Sequence, residues 1–299
     1  MPYRVRTVDV FTRRQLAGNQ LAVVLDADDL AAGSMQAIAK EMNLAETTFV
    51  MTTKHPDCVH RIRIFTPSTE LPFAGHPTIG TAWVLLAEGR LAEGERSFSL
   101  EEGVGPVGVR VEQRPEGELL WMTHPPVTFG DLIQDRGRVA AALGVGEDDL
   151  MPDVPVQIAS TGVPFVYVAM RDVGAVDAAV SSAERLTGAL GDREAPPFFV
   201  FTSTGGDRLY SRMFAPHAFQ IHEDPATGAA SGPLGAFAVK YGIVPRAALV
   251  SIVSQQGTKM GRQSFVHIQL EYSDSAHVPS RIEVGGGVVP VLTAELTLQ

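Results

Sequence analysis

The sequence predicts an α+β protein of two pseudo-symmetric lobes, each a barrel-like, mostly antiparallel sheet wrapped around one central helix. Three observations predict it. Short β-branched and aromatic runs recur between the 29 glycines and 20 prolines that punctuate the chain, the pattern of a strand-rich protein with tight turns. Two stretches, 78–88 and 228–239, are apolar and small nearly all round, which marks a buried helix. The chain also repeats itself. Shifted by 149 positions, Arg63, Phe65, Pro67, Thr78, Leu85 and Ala87 fall on Arg212, Phe214, Pro216, Thr227, Leu234 and Ala236. No gap interrupts that register from strand to helix, as two related halves would give.

In chain order, strands are expected at 5–11, 22–25, 48–52, 61–65, 107–112 and 119–122 in the first half. In the second they are expected at 164–169, 198–202, 209–214, 249–252 and 264–271. Their β-branched and aromatic content suits a pleated, half-buried surface. Met35, Ile38, Ala39 and Met42 sit at i, i+3, i+4 and i+7, so 34–42 reads as an amphipathic helix with Ser34 near its cap. The first lobe is placed at 1–124 and the second at 125–288, with a last strand, 289–299, returning to complete the first. The Pro-, Gly- and charge-rich stretch 123–155 reads as the linker.

Composition narrows the function classes. With 45% hydrophobic and 19% charged residues in 299, the chain has the apolar matter for packed cores. A net charge of −10 argues against a nucleic-acid partner, which needs a basic face. Cys58 is the only cysteine, so no internal disulfide forms and a cytoplasmic home is expected. No apolar run approaches the ~20 residues of a membrane-spanning helix, and no membrane association is expected.

Two segments carry the chemistry: Pro72-Phe-Ala-Gly-His-Pro-Thr-Ile-Gly80 and His222-Glu-Asp-Pro-Ala-Thr-Gly-Ala-Ala-Ser231. Each leads into a buried helix, with Pro at or near its start, where a missing N–H costs nothing. Helix N-termini present open backbone N–H groups and a positive dipole end to anions, so two such starts would suit a small carboxylate. A third segment places Glu46 between the amphipathic helix and an apolar strand. Partial burial there would raise its pKa and suit it to take and return a proton.

The stretches Val8-Asp-Val-Phe-Thr12, Gly18-Asn19, Asn43-Leu-Ala-Glu-Thr47, Phe73-Ala-Gly-His-Pro-Thr78, Glu223-Asp-Pro-Ala-Thr-Gly228, Gln256-Gly257 and Met260-Gly-Arg262, taken in order, resemble the PhzF-like phenazine-biosynthesis family. The resemblance implies a diaminopimelate-epimerase-like fold with the active site between two lobes. It implies an isomerase that moves a proton on a small carboxylated metabolite, of the dihydro-hydroxyanthranilate type, with no cofactor and no metal. Glu46 would be the general acid/base, with His76 and Asp224 as its polar active-site partners. Asn19, Gly75, Thr78, Gly228, Ala229, Gln256 and Gly257 would bind substrate. A homodimer is the family expectation. Gly75 and Asp224 fall where the two-cysteine racemases of this fold carry their cysteines, so that mechanism is absent here.

The sequence departs from the family at Gln20 and Gln263, where proline is common, and at Ala229, where serine is common; Ser231 lies two residues on. These changes bear on the substrate, which the sequence does not name. A non-catalytic binder on the same scaffold, or an epimerase-like enzyme using Glu46 and Asp224 as two bases, are the alternatives. The Gly103-Val-Gly-Pro-Val-Gly108 run reads as a turn and not a dinucleotide loop. His217 and His222 lack zinc spacing, and Glu101-Glu102 reads as a solvated face.

Overall fold

The computed structural model describes residues 2–180, 183–190, 196–215, 221–273 and 277–298. Two compact units emerge, 1–123 with 285–299, and 124–284. The first contains β1 (Tyr3–Val10), β2 (Asn19–Val24), α1 (Ala32–Met42), β3 (Glu46–Met51), β4 (His60–Phe65), β5 (Glu70–Leu71), α2 (Gly75–Ala87), β6 (Ser97–Glu102), β7 (Gly105–Arg114) and β8 (Gly117–Thr123). The second contains β9 (Thr128–Ile133), α3 (Arg136–Ala142), β10 (Val156–Ser160), β11 (Pro164–Ala169), α4 (Val173–Ala178), α5 (Ala183–Leu190), β12 (Phe198–Gly205), β13 (Arg208–Ala215), β14 (Ile221–Asp224), α6 (Gly228–Lys240), β15 (Leu249–Gln256) and β16 (Ser264–Glu271). β17 (Arg281–Gly286) follows, and β18 (Val288–Leu296) pairs antiparallel with β1 in the first unit.

The architecture is mixed α+β, and the pairing pattern is the same in both units. In the first, β1/β2 is antiparallel, β2/β3 parallel, β3/β4 and β4/β5 antiparallel, β4/β6 parallel and β6/β7 antiparallel. In the second, β10/β11, β11/β12, β12/β13, β13/β14, β13/β15 and β15/β16 repeat that series in order. Each series has one helix buried along most of its length, α2 and α6. Both helices are small-residue, apolar sequences without a polar face, and so need cover on every side. Gly80 of α2 shows how close the cover comes: a Cβ there would meet Leu21 at 2.6 Å and Val10 at 2.8 Å.

The repeat survives at the level of single residues, with one correction to its register. Arg63 of β4 pairs through two nitrogens with Glu70 and lies over the Phe65 ring at 5.1 Å. Arg212 of β13 pairs the same way with Glu223 and lies over the Phe214 ring at 4.8 Å. The strands therefore match at a shift of 149. The helices, starting at Gly75 and Gly228, match at 153, because four more residues intervene in the second half. In the corrected register Glu70-Leu-Pro-Phe-Ala-Gly75 aligns with Glu223-Asp-Pro-Ala-Thr-Gly228. Asp224 then matches Leu71 and not Gly75, and Thr78 matches Ser231. Pro216 and His217 lie outside the described residues.

Other expectations shift too. The helix placed at 34–42 starts at Ala32, with Ala31 at its N-cap and no side-chain cap, so Ser34 is inside the first turn. The stretch read as a linker carries β9 and α3, and Val139, Ala140 and Leu143 from it are buried among Val166, Val168 and Phe198. Gly103 and Val104 form the β6–β7 hairpin turn, as read, with Val104 exposed.

In the second unit, His124 is buried with Nδ1 2.8 Å from Thr161 Oγ1, and its Nε2 has no hydrogen-bond partner among the described residues. Gly232 makes room for the ring, since a Cβ there would lie 2.7 Å from Nδ1. Burial pushes the imidazole down to about 4. A base whose folded value lies below its unfolded value, about 6.5, stabilises above that value and loses its contribution as pH falls through the folded value. We expect His124→Asn, which cannot take up a proton, to lose less stability than wild type between about pH 6.5 and 4. Urea denaturation at several pH values reads the difference, and parallel curves would refute it.

Candidate active site

Glu46 opens β3, which runs parallel to β2 in the register Leu21↔Glu46. Side chains alternate along a strand, so Glu46 shares a face with Thr48. The Thr48 hydroxyl lies 2.8 Å from that of Thr81 on α2, which fixes this face of β3 against the helix. Glu46 thereby meets His76 in the first turn of α2: Oε2 lies 3.2 Å from Nε2, with the two side chains 12% and 6% exposed. Asn19, first residue of β2, places Nδ2 3.3 Å from His76 Nδ1. The Gln20 backbone also hydrogen-bonds the ring.

The distance would allow a carboxylate–imidazolium pair, but burial drives the His76 pKa down to about 3 and keeps the ring neutral. Among the described residues, Nε2 makes no aligned hydrogen bond. Asn19 thus faces Nδ1, and Nε2 faces Glu46 Oε2. The first unit thus brings together Asn19, Glu46 and His76, with Gly75 beside them at the start of α2. Gly75 and His76 have no intrahelical acceptor for their N–H groups.

Asp224 ends β14 in the second unit and is buried. Its Oδ2 accepts from the Thr227 hydroxyl at 2.6 Å. Gln256, fully buried at the end of β15, accepts from the Thr227 N–H at 3.1 Å. Its amide donates to the Asp224 carbonyl at 2.8 Å and to Thr227 Oγ1 at 3.0 Å. Both Gln256 N–H groups are therefore used within the protein, and Gln256 fastens the turn between β14 and α6. Gly228 and Ala229 open α6. The Ser231 hydroxyl donates to the Thr227 carbonyl at 2.9 Å and is fully buried, so it does not stand in for a hydroxyl at position 229. The structure brings Asp224, Gln256, Gly257 and Gly228 into one cluster, with Ala229 half-buried beside them.

Gly257 has φ +73°, and a Cβ would meet Arg262 O at 2.4 Å and Pro225 O at 2.6 Å. We expect Gly257→Ala to cost about 1–3 kcal/mol, since neither contact is with a yielding side chain. The denaturation midpoint reads it, and a neutral substitution would remove the steric requirement.

One charged group was missed. Glu102, read as solvated, is buried: its neighbour Glu101 takes the outer face and bonds Thr53, whereas Glu102 bonds the hydroxyl of Thr78. Thr78, expected to bind substrate, is fully buried and engaged by Glu102 and the Ala74 carbonyl. The strand pairing, Arg61 with Glu101 and Tyr210 with Gln255, sets Glu102 in the place of Gln256, and no sequence motif marks that equivalence.

The two repeated units and their helix-start clusters define an α+β protein of duplicated architecture. The solved structure of a Bacillus anthracis phenazine biosynthesis protein of the PhzF family matches it with a TM-score of 0.91, at 25% identity and full coverage of both chains. The trans-2,3-dihydro-3-hydroxyanthranilate isomerase of Pseudomonas aeruginosa is 34% identical over 285 residues, 95% of each chain. An uncharacterized isomerase of Mesorhizobium japonicum is 35% identical over 301 residues, 96% of each. Residues 8–294 match the phenazine biosynthesis-like protein family; the chain belongs to that family and is an isomerase of it. No described helix is long and apolar enough to cross a membrane.

Proposed function

We propose that this isomerase moves a proton between two carbons of a small carboxylated metabolite, with Glu46 as the acid/base. The supporting observation is the buried Glu46–His76 contact. A carboxylate takes the proton from one carbon, the double bond shifts, and the carboxylic acid returns the proton at another, so no atom is gained or lost. Neutral His76 can hold the position of Glu46 without supplying a competing charge. The start of α2 at Gly75 and His76 suits an anionic group, and so, in its own unit, does the start of α6 at Gly228 and Ala229. Asp224, held by Thr227 and Gln256, is assigned to a polar group of the substrate.

The activity of the Pseudomonas aeruginosa relative makes trans-2,3-dihydro-3-hydroxyanthranilate the first compound to try. Proton NMR in D2O follows the double bond and any deuterium uptake, wild type beside Glu46→Gln. Double-bond shift lost in the variant supports both the substrate and the role of Glu46. Inert wild type rejects that substrate, and exchange unaffected by the variant rejects Glu46. A homodimer, on the family resemblance, and a cytoplasmic home without nucleic-acid partners, on the single cysteine and the net charge of −10, belong to the same proposal, and light scattering tests the dimer.

A further inference from the structure

We propose that Glu102 is a positioning residue of this active site: as a neutral carboxylic acid it fastens the turn of α2 that carries His76, as the Gln256 amide fastens the start of α6. The inference rests on the reading of Glu46 and His76 as the reacting site, and adds a residue that touches neither.

The repeat supplies the geometry. Glu102 and Gln256 each end the strand that pairs in parallel with the Arg63 or Arg212 strand. Each is followed by a glycine pressed against the proline three residues before the helix. A Cβ on Gly103 would meet Pro72 Cα at 2.8 Å, and one on Gly257 would meet Pro225 O at 2.6 Å. Each also accepts from the backbone N–H of the residue capping the helix, Ala74 or Thr227. Where the second unit has an amide that is neutral at every pH, the first has a carboxyl in the same place.

Counting hydrogens shows which form fits. Thr78 Oγ1 lies 2.7 Å from the Ala74 carbonyl and 2.6 Å from Glu102 Oε1. A threonine hydroxyl has one hydrogen to give. In the second unit the equivalent hydroxyl, Ser231, gives its hydrogen to the Thr227 carbonyl. If Thr78 does likewise, Glu102 must be the donor to Thr78, which requires it protonated. A carboxylate would take the Thr78 hydrogen and leave the Ala74 carbonyl without it. The other oxygen, Glu102 Oε2, is buried with no hydrogen-bond partner among the described residues, a situation far costlier for a carboxylate than for an acid carbonyl.

The surroundings agree. His76 is the titratable residue of α2 and is neutral. On β7, Arg110, Glu112 and Arg114 alternate with the buried Val107, Val109 and Val111. On β4, Arg61 lies beside Glu101, and His60 beside Leu100. Arg63 and Glu70 hold each other, and Glu46 on β3 meets His76. Burial raises the Glu102 carboxyl to about 8, opposed only by the bonds from Thr78 and Ala74. Ionisation in the mildly alkaline range would therefore turn the Thr78 hydroxyl from the Ala74 carbonyl to the carboxylate and loosen the turn that carries His76.

Two measurements on the full chain test this. The first is carboxyl 13C NMR of the protein labelled in glutamate, with Glu102→Gln identifying the resonance; if that variant does not fold, Thr78→Val identifies it by displacing it. A titration midpoint above pH 7 is expected, and one near the ordinary carboxyl value overturns the proposal whatever the substrate. The second is the pH profile of kcat/KM, once a substrate is in hand. Wild type should fall roughly tenfold between pH 7 and 9, following a group of that midpoint, and Glu102→Gln should lack this fall. The same fall in both proteins overturns the positioning role. Should Glu46→Gln leave proton transfer intact, the site reading fails while the NMR result still stands.

Discussion

Glu46→Gln is expected to lower turnover by about 10²–10⁴-fold, the usual worth of a general acid/base. The amide keeps the shape of the carboxyl and can still face His76 Nε2, but it cannot accept a proton from carbon. KM should move far less than kcat, because no binding contact is removed. A variant retaining more than about a tenth of wild-type kcat would leave Glu46 without the role proposed. Since His76 sits near 3, its own ionisation should leave no mark on the rate between about pH 5 and 8. An acid limb in that window shared by wild type and His76→Asn would belong to another group.

The largest stability effect is expected at Arg212. Its side chain is 9% exposed, and its guanidinium pairs with Glu223 and donates through one nitrogen to the carbonyls of Val176, Asp177 and Ala179 at the end of α4. Arg212→Ala removes every one of these donors and leaves a partly buried carboxylate alone, a change worth about 3–5 kcal/mol. Arg212→Met with Glu223→Gln should recover a good part, because the uncompensated charge is gone. Arg63→Ala, in the matching place, should cost less: its side chain is 20% exposed and its partner Glu70 41% exposed, so water screens the charge left behind. Chemical denaturation gives the order, and equal losses at the two arginines would contradict it.

These two arginines also show what sequence reasoning can and cannot reach. They were found as a pair because a strand ahead of an apolar helix leaves a strong pattern. Strands such as β11 and β16 were equally readable, being β-branched and bounded by turns. β6 was not, because Ser97–Glu102 reads SFSLEE, a polar alternation that hides a buried face. α3 was lost in a stretch whose glycines and charges imitate a linker, although Val139, Ala140 and Leu143 are core residues. The candidate site divides the same way. Glu46, His76 and Asp224 stood out by motif. Glu102 did not, since two adjacent acids look like solvated surface until a strand turns them to opposite faces. The register error had a similar origin: a chance match of Thr78 with Thr227 concealed four additional residues before the second helix.

The pairing of β18 with β1 also sets an order of events at the ribosome. The second unit is a single stretch of chain, and all of its strands are synthesised before β18. The first unit begins earlier but must wait for β18, which starts at Val288, 165 residues beyond the end of β8 at Thr123. At about 5–20 residues per second this is a delay on the order of ten seconds. During it, β1 has β2 on one side and a bare row of N–H and C=O groups on the other, a surface to which another nascent chain can add. The half bearing Glu46 and His76 is therefore started first and finished last, and its yield in the cell should depend on how well that edge is shielded in the interval.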